Sequence, residues 1–133
     1  MPTVAPLAAP AHPLDHQPYF YQNRIMEEKA AIVSLAALAQ PMRLRVFRAL
    51  VGAGPQGMTP SALSAMLDVP ASTLSFHLKE LTHSGLVTQE RESRNLIYRP
   101  SIDQMNDLLG YLTAHCCQGA ACEISAAPGC TTC

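Results

Sequence analysis

The sequence predicts one mainly α-helical domain with a small β-hairpin, and three observations lead to this fold class. The chain has 133 residues, which is room for one domain, and 48% of them are hydrophobic, enough for a small core. Apolar residues recur at helical spacing through most of the central part of the chain. Only the stretch between Gly85 and Pro100 instead contains two short β-favouring runs around a charged centre.

The N-terminal segment, residues 1–22, is predicted to be disordered. Its prolines prevent regular structure, and they are Pro2, Pro6, Pro10, Pro13 and Pro18. The segment lacks the basic start and continuous apolar stretch of a secretory signal. The chain also has no apolar run of about 18 residues, the length that favours a membrane span. We therefore expect a cytoplasmic protein that does not enter a membrane.

The ordered domain is predicted over residues 23–115, and it begins with two helices. The first covers about Asn23 to Gln40, with an apolar stripe made of Ile25, Ile32, Leu35, Ala36 and Ala39. The second runs from Pro41, a residue suited to a first helical position, through Val51. Its apolar stripe is predicted to be Leu44, Phe47 and Val51.

A helix-turn-helix is predicted after the glycine-rich loop of residues 52–57. Thr59 caps a short helix that has Pro60 at its first position. Its apolar face is Leu63, Met66 and Leu67, and the turn is Asp68-Val69-Pro70. The next helix runs from about Ala71 or Ser72 to His83, and Gly85 fits a left-handed cap. Two short helices joined by such a turn form a helix-turn-helix.

A hairpin and a last helix complete the predicted domain. Leu86–Thr88 and Leu96–Tyr98 favour strands, and the charged segment from Gln89 to Asn95 forms an exposed tip, or wing, between them. Ser101, with Asp103 nearby, starts a helix that runs to about His115. Its apolar stripe is Ile102, Met105, Leu108, Leu109 and Leu112.

The second helix of the helix-turn-helix has one apolar and one polar face. Helical spacing turns Leu74, His77, Leu78 and Leu81 inward, and His77 is interpreted as a hydrogen-bonded core residue rather than a metal ligand. The outward residues are the predicted DNA contacts, and they are Ser72, Thr73, Ser75, Phe76 and Lys79. Phe76 either contacts a thymine methyl group or folds back onto the wing.

The charge distribution agrees with a DNA-binding surface, although the whole chain has a formal net charge of -1. Between Pro41 and Arg99, seven lysine and arginine residues stand against four acidic ones, a local net charge of +3. Phosphate binding depends on local positive charge. Arg91 and Arg94 at the hairpin tip are predicted to reach the minor groove or its phosphates. The alternative is a solvated face of mixed charge.

Five cysteines lie within residues 116–133, which we interpret as a sensing tail. Cysteines confined to one segment cannot form disulfides that connect distant parts of the fold. Clustered cysteines in a cytosolic protein more often bind metal or act in redox chemistry. Adjacent thiols on a helix point about 100° apart, so Cys116 and Cys117 face one centre only if the helix ends there. Gly119 then allows Cys122 to complete a three-thiolate pocket.

Several ligands are open for this pocket. Trivalent arsenic and antimony favour three sulfurs, whereas zinc usually takes four ligands and would need His115 as well. The same thiols could bind cadmium or another soft metal, form a redox switch through a Cys116–Cys117 disulfide, or have no role at all. Cys130 and Cys133 form a terminal Cys-x-x-Cys pair and are interpreted as accessory thiols at most.

The run Ser75-Phe76-His77-Leu78-Lys79-Glu80-Leu81, followed by Gly85-Leu86-Val87, resembles the signature of the ArsR/SmtB family of metal-responsive repressors. Ala39–Leu44 is similar to the start of that family's second helix, and Tyr98 fits the second strand of its wing. The resemblance covers roughly Glu28 to Ala114. It implies a winged helix-turn-helix homodimer, with the first and last helices at the interface. Such a dimer is expected to bind double-stranded operator DNA containing an inverted repeat.

The family's known metal sites differ from the residues present here. Arsenic sensors of the family carry paired cysteines in the first helix of the helix-turn-helix, and the corresponding Ser61–Asp68 contains none. Zinc sensors use Asp and His along the last helix, where Asp103 and His115 remain, but Gln104 and Met105 replace an expected histidine. The pair with a third cysteine resembles a separate arsenite-responsive branch. This implies a repressor that arsenite or antimonite releases from DNA.

Two other classes of protein fit the sequence less well. A thiol oxidoreductase or arsenate reductase needs a cysteine with a low pKa, often at a helix N-terminus, whereas these cysteines follow a helix C-terminus. The sequence shows no catalytic triad or phosphate-binding loop, so we do not expect an enzyme. A metal carrier or storage protein would not need a helix-turn-helix with a charged wing.

Overall fold

The computed structural model describes residues 26–114, and it has the predicted order of elements. The elements are α1 (Glu28–Leu38), α2 (Pro41–Ala53), α3 (Pro60–Leu67), α4 (Ala71–His83), β1 (Val87–Glu92), β2 (Asn95–Pro100) and α5 (Ile102–Thr113). The fold is therefore a winged helix-turn-helix, in which α3 and α4 form the helix-turn-helix and the two strands form the wing. The predicted N-terminal and sensing tails lie outside the described residues.

Side-chain caps explain where three of the helices begin. The Thr59 hydroxyl accepts a hydrogen bond from the Ala62 amide (3.2 Å), and Pro60 is the first residue of α3, as predicted. Ser101 caps α5 in the same way, through a bond from the amide of Gln104 (3.3 Å). The Gln40 side chain caps α2, a role that the sequence prediction missed.

The turn inside the helix-turn-helix depends on backbone conformations that end a helix. Asp68 follows α3 with a φ of 54°, in the left-handed region that terminates a helix. The Ser64 hydroxyl donates to the Val69 carbonyl (2.6 Å) and ties the turn back onto α3. Gly85 after α4 has a φ of 83°, which confirms the predicted left-handed cap.

The core lies where α2, α3, α4 and the hairpin meet. Its largest buried side chains are mostly leucines from these elements, namely Leu50, Leu63, Leu74, Leu78, Leu81 and Leu86. Tyr98 and Val87 add the inner face of the hairpin to the same cluster. A smaller cluster joins α1 to α5 through Met26, Ala31 and Leu108. The helix-turn-helix and the wing therefore share one core, which fixes their relative position.

The predicted apolar stripes of the first two helices are wrong in part. In α2, Phe47 is buried as predicted, but Leu44 and Val51 are exposed and Val46 and Leu50 are buried instead. The helix has apolar residues around most of its circumference, so periodicity alone does not choose the inward face. Packing against α4 and β2 makes that choice.

Helix α1 differs more than α2 from the helix that the sequence predicts. It begins at Glu28 rather than near Asn23, because Glu27 has an extended backbone, and it ends at Leu38. Its buried residues are Ala31, Ser34 and Ala37, whereas Ile32 and Leu35 of the predicted stripe are exposed. The small side chains permit close approach to the neighbouring helices, and the large ones remain on the surface. Ile25 of that stripe lies outside the described residues.

The hairpin is longer and tighter than predicted. The strands pair antiparallel from Val87↔Pro100 to Glu92↔Asn95, so the turn consists of Ser93 and Arg94 alone. The prediction of a seven-residue charged tip is therefore wrong. Charged residues have low strand propensity, and here the backbone pairing set by a two-residue turn overrides it.

A short bridge attaches the hairpin to the helix-turn-helix. Met58, just before α3, exchanges two backbone hydrogen bonds with Tyr98, at 3.0 and 2.8 Å. Gly57 makes this approach feasible, because a Cβ at that position would lie 2.5 Å from the Tyr98 carbonyl oxygen. The hairpin is therefore anchored along β2 and projects from the domain with a defined orientation.

Each helix within residues 26–114 is too short or too polar to span a membrane alone. Helices α1 and α2 have the required length and composition only when taken together, and a 97° bend separates them.

Candidate nucleic-acid interface

The two faces of α4 are arranged as the helical spacing predicts. Leu74, Leu78 and Leu81 are at most 1% exposed, and His77 is also buried. All five predicted outward residues are exposed, and they are Ser72, Thr73, Ser75, Phe76 and Lys79. The helix thus presents hydroxyl groups, one aromatic ring and one ammonium group on its exposed face. The hydroxyl and ammonium groups can donate to phosphates and base edges.

Phe76 is the unusual member of this surface. Its side chain is 59% exposed, and its ring meets the His77 imidazole edge-on, with centroids 5.9 Å apart. This exposure argues against the interpretation in which the ring folds back onto the wing. The ring is therefore presented together with the hydroxyl groups of α4.

His77 is a core residue, as predicted, but the predicted hydrogen bond is missing at one ring nitrogen. Its Nδ1 is buried and has no hydrogen-bond partner among the described residues. A buried polar atom without a partner destabilises the fold. The leucines on either side of it on the inner face of α4 explain the burial, because helical spacing places His77 among them.

The pairing register places the residues of the hairpin on two different faces. Opposite residues share a face and successive residues alternate, so Gln89 and Arg91 lie on the same face as Tyr98. Tyr98 is buried, so this inner face is directed toward the helices. Glu90 and Glu92 lie on the outer face with Arg99. The sequence prediction did not separate these faces.

An open groove lies between α4 and the inner face of the hairpin. Its volume is about 640 Å³, and it is lined by Ser75, Lys79, Glu80, Thr82, His83, Gln89 and Tyr98. Burial raises the pKa of the Tyr98 phenol above its usual range, so its hydroxyl group stays protonated at neutral pH. The groove offers several hydrogen-bond donors and one cation, with Glu80 as its carboxylate.

Five lining residues were not among the predicted contacts, and they are Glu80, Thr82, His83, Gln89 and Tyr98. Thr82 and His83 belong to the last turn of α4, which the prediction treated only as the end of a helix. Gln89 was assigned to an exposed tip and lies instead in a paired strand. The alternation of residues along β1 was the available signal, but it required knowing that β1 continues past Thr88.

The cations of the domain have different roles. Arg91 and Arg94 are exposed, and within residues 26–114 neither forms a salt bridge. Arg43 instead donates from Nε to the Ala37 carbonyl (2.6 Å) at the end of α1. Arg99 binds carboxylates of β1. Of the seven cations counted from the sequence, Arg43 and Arg99 are therefore engaged within the protein.

The described residues contain no group of three or more His, Cys, Asp or Glu residues that could hold a metal ion. The predicted thiolate ligands Cys116, Cys117 and Cys122 lie outside the described residues, as do the accessory Cys130 and Cys133. The last described residue, Ala114, has a ψ of 136°, so α5 ends at Thr113 rather than near His115.

Comparison with known proteins identifies the family. Residues 38–90 match a helix-turn-helix domain family. No curated protein matches the sequence. An ArsR-like transcriptional regulator from Rhodococcus sp. RHA1 is similar at 25% identity with a TM-score of 0.58, over 63% of this chain and 76% of that chain.

Two further structures extend the similarity. HlyU from Vibrio cholerae N16961 is 32% identical with a TM-score of 0.52, over 65% of this chain and 97% of that chain. A protein described as a possible transcriptional regulator for arsenical resistance is 29% identical with a TM-score of 0.52, over 59% of this chain and 79% of that chain. Family members of this kind are DNA-binding regulators rather than enzymes. The chain therefore belongs to the ArsR/SmtB family of winged helix-turn-helix transcriptional regulators.

Proposed function

We propose that this regulator is a homodimeric repressor, released from operator DNA when trivalent arsenic or antimony binds Cys116, Cys117 and Cys122. The observation that carries the DNA-binding part is the exposed polar face of α4 together with the exposed Arg91 and Arg94 of the hairpin, which form no salt bridge within residues 26–114. The thiol part rests on the chemistry of the cysteines in the sequence. The protein acts in the cytoplasm, where thiols stay reduced.

The DNA contacts follow from the two exposed surfaces. Helix α4 enters the major groove, where the hydroxyl groups of Ser72, Thr73 and Ser75 bind phosphates or base edges. Lys79 pairs with a phosphate, and Phe76 contacts a thymine methyl group. Arg91 and Arg94 approach the adjacent minor groove. A dimer of this kind binds an inverted repeat with half-sites about one helical turn apart.

Exposed apolar side chains on the first and last helices support the dimer. Those of α1 are Ile32, Val33 and Leu35, and those of α5 are Ile102, Leu109, Tyr111 and Leu112. The two helices contact each other through Ala31 and Leu108, so their outward apolar residues belong to one region of the surface. Exposed apolar residues on two neighbouring helices favour association with a second copy.

The inducer follows from the ligand chemistry. Thiolates are soft ligands that select soft, thiophilic ions, and three of them suit the pyramidal coordination of trivalent arsenic. A three-thiolate pocket requires the last helix to end before Cys116, and the extended backbone of Ala114 meets that requirement. The similar protein described as a possible transcriptional regulator for arsenical resistance also favours this inducer over zinc or cadmium.

A direct route connects α5 to the DNA-binding helix. The amide of Ser101, the cap of α5, donates to the Leu86 carbonyl between α4 and β1 (2.8 Å). Ligand binding that displaces α5 therefore shifts the segment that follows α4 and alters the spacing of the two α4 helices in the dimer. Couplings of this kind are about 1–3 kcal/mol, which weakens DNA binding about 5–150-fold.

The test is a titration of a protein–DNA complex with inducers. The wild-type protein first selects a duplex from a random pool, and binding of that labelled duplex is followed by fluorescence anisotropy. Arsenite and antimonite are expected to release it, whereas zinc, cadmium and hydrogen peroxide are not. Cys116→Ser, Cys117→Ser and Cys122→Ser are each expected to bind DNA normally and to resist release.

Cys130→Ser and Cys133→Ser are the matched controls, because they remove the same thiol group without touching the pocket. They should respond to arsenite as the wild type does. Release by zinc or peroxide alone would overturn the proposed inducer and identify a zinc or redox sensor. If arsenite releases the wild type and the Cys122→Ser variant equally, Cys122 is not a ligand and the proposed three-thiolate pocket is wrong. Failure of the wild type to select any duplex would overturn the repressor itself.

A further inference from the structure

The hairpin carries two carboxylates close to the tip that approaches DNA. Glu90 and Glu92 lie in β1 on either side of Arg91, and both are exposed. Glu92 pairs with Asn95 and directly precedes the two-residue turn that contains Arg94. A carboxylate next to a phosphate opposes binding through like-charge repulsion. A hairpin that contacts DNA must therefore keep these charges away from the backbone.

One arginine holds both carboxylates. The Arg99 guanidinium donates from one terminal nitrogen to Glu90 Oε2 (3.1 Å) and from the other to Oε2 of Glu92. Its Nε donates to the Pro55 carbonyl in the loop between α2 and α3 (2.8 Å). All three guanidinium nitrogens therefore have partners within the protein. Its side chain is 27% exposed, against 71% for Glu90 and 51% for Glu92.

The strand register determines which face these groups occupy. Arg99 lies opposite Thr88, and Glu90 and Glu92 follow Thr88 at every second residue, so all of these share the outer face. Arg91 lies on the inner face, beside the groove formed with α4. The bond from Arg99 to the Pro55 carbonyl anchors the guanidinium to the loop between α2 and α3, and both carboxylates bind that anchored group.

We propose that Arg99 is a positioning residue for DNA binding. It does not bind phosphate itself. It binds Glu90 and Glu92 on the outer face of the hairpin, offsets one of their two negative charges and holds both carboxylates away from DNA, so that Arg91 and Arg94 dominate the charge that DNA meets. This inference rests on the proposed DNA binding of the regulator. It gives Arg99 a different role from the other cations that the sequence places near the hairpin.

The test measures how the effect of Arg99→Gln depends on the two carboxylates. Four full-length proteins are compared: wild type, Arg99→Gln, the double variant E90Q/E92Q and the triple variant R99Q/E90Q/E92Q. The probe is a fluorescein-labelled duplex of random sequence, about 30 base pairs long, because the electrostatic part of binding does not depend on sequence. Arg45→Gln is the matched control, since it removes the same charge from an exposed position on α2.

Arg99→Gln is expected to weaken binding about 3- to 10-fold, because two carboxylates near the tip lose their partner. In the E90Q/E92Q background the same substitution should change the affinity less than about 2-fold. The slope of log K against log salt should stay close to that of the wild type, since no phosphate contact is lost. Arg45→Gln should have little effect in either background.

Equal weakening in both backgrounds, with a slope that falls by about 1, would overturn the proposal and make Arg99 a direct phosphate ligand. No weakening in either background would also overturn it. If circular dichroism shows that Arg99→Gln does not fold, the comparison is made with Arg99→Lys. Its single ammonium group keeps the charge but lacks the planar fork that binds both carboxylates, so a smaller weakening that again depends on Glu90 and Glu92 is expected. A wild-type protein that does not bind the duplex at all would instead overturn the proposed function.

Discussion

The Gln104 side chain donates a hydrogen bond from Nε2 to the hydroxyl oxygen of Ser34, at 3.2 Å. The two residues are 70 positions apart in the sequence, and the bond joins α5 to α1. Ser34 is fully buried, and the Gln104 amide also lies in van der Waals reach of a Cβ built on Gly85 after α4. The Gln104 side chain of the last helix therefore contacts both the first helix and the segment that follows α4.

Ser34→Ala tests the importance of this bond for the fold. The variant should lose about 1–2 kcal/mol of unfolding free energy, because the half-buried Gln104 amide loses its acceptor. Urea denaturation at one fixed protein concentration measures the change, since a dimer's stability depends on concentration. Ser61→Ala on the exposed side of α3 is the control and should change stability by less than about 0.5 kcal/mol. Equal effects of the two substitutions would contradict this role.

Gly57→Ala is expected to detach the hairpin from the helix-turn-helix. Gly57 has a φ of 68°, and a Cβ there would lie 2.5 Å from the Tyr98 carbonyl oxygen. The conformational cost alone is about 1–2 kcal/mol, and the clash adds to it. Thermal unfolding should show a lower Tm for this variant, whereas Gly52→Ala, where no atom lies within 4 Å, should not lower it. An unchanged Tm for Gly57→Ala would show that the loop can move away.

Leu112→Glu is expected to convert the proposed dimer into a monomer. Leu112 is 52% exposed on α5, in the apolar surface assigned to the interface, and a carboxylate there would be buried without a partner. Sedimentation equilibrium measures the mass directly. Met66→Glu on α3 is the control, because Met66 is 61% exposed but lies outside α1 and α5. A dimer that persists in Leu112→Glu and dissociates in Met66→Glu would place the interface elsewhere.

Lys79→Gln and Arg91→Gln should each reduce the salt dependence of DNA binding. Both cations are exposed. Lys79 lines the groove, and Arg91 lies on the same face of the hairpin as Gln89, which also lines it. Each is expected to displace one counterion from a phosphate. The slope of log K against log salt should fall in magnitude by about 1 for each variant. Fluorescence anisotropy with a random-sequence duplex over a range of salt concentrations provides the slopes. If the slopes equal that of Arg45→Gln, neither Lys79 nor Arg91 contacts a phosphate.

Most of the fold could be predicted from local signals along the chain. Thr59 with Pro60, Ser101 and Gly85 are residue types that begin or end helices for reasons contained within a few residues. The inner face of α4 was also predictable, because its leucines recur at helical spacing and polar residues occupy most of the opposite face. Periodicity failed in α1 and α2, where apolar residues surround most of each helix and the neighbouring elements select the buried side.

The candidate site was predictable only in part. The outward residues of α4 followed from helical spacing, but the groove did not, because Gln89 and Tyr98 belong to strands whose length depends on pairing rather than on propensity. Arg99 was counted only in the local net charge, and its pairing with Glu90 and Glu92, which lie nine and seven residues away in the sequence, was not predicted. Only the register brings these charges together.

The sequence by itself determined the helix-turn-helix, the position of its capping residues and the thiol chemistry expected of the cysteine cluster. These properties depend on residue types and on spacings within one turn of helix. The tertiary structure decided which faces of α1 and α2 are buried, which face of the hairpin carries each charge and which residues line the groove. Those outcomes depend on contacts between distant segments, such as Gln104 with Ser34, and such contacts form only when the whole core is packed.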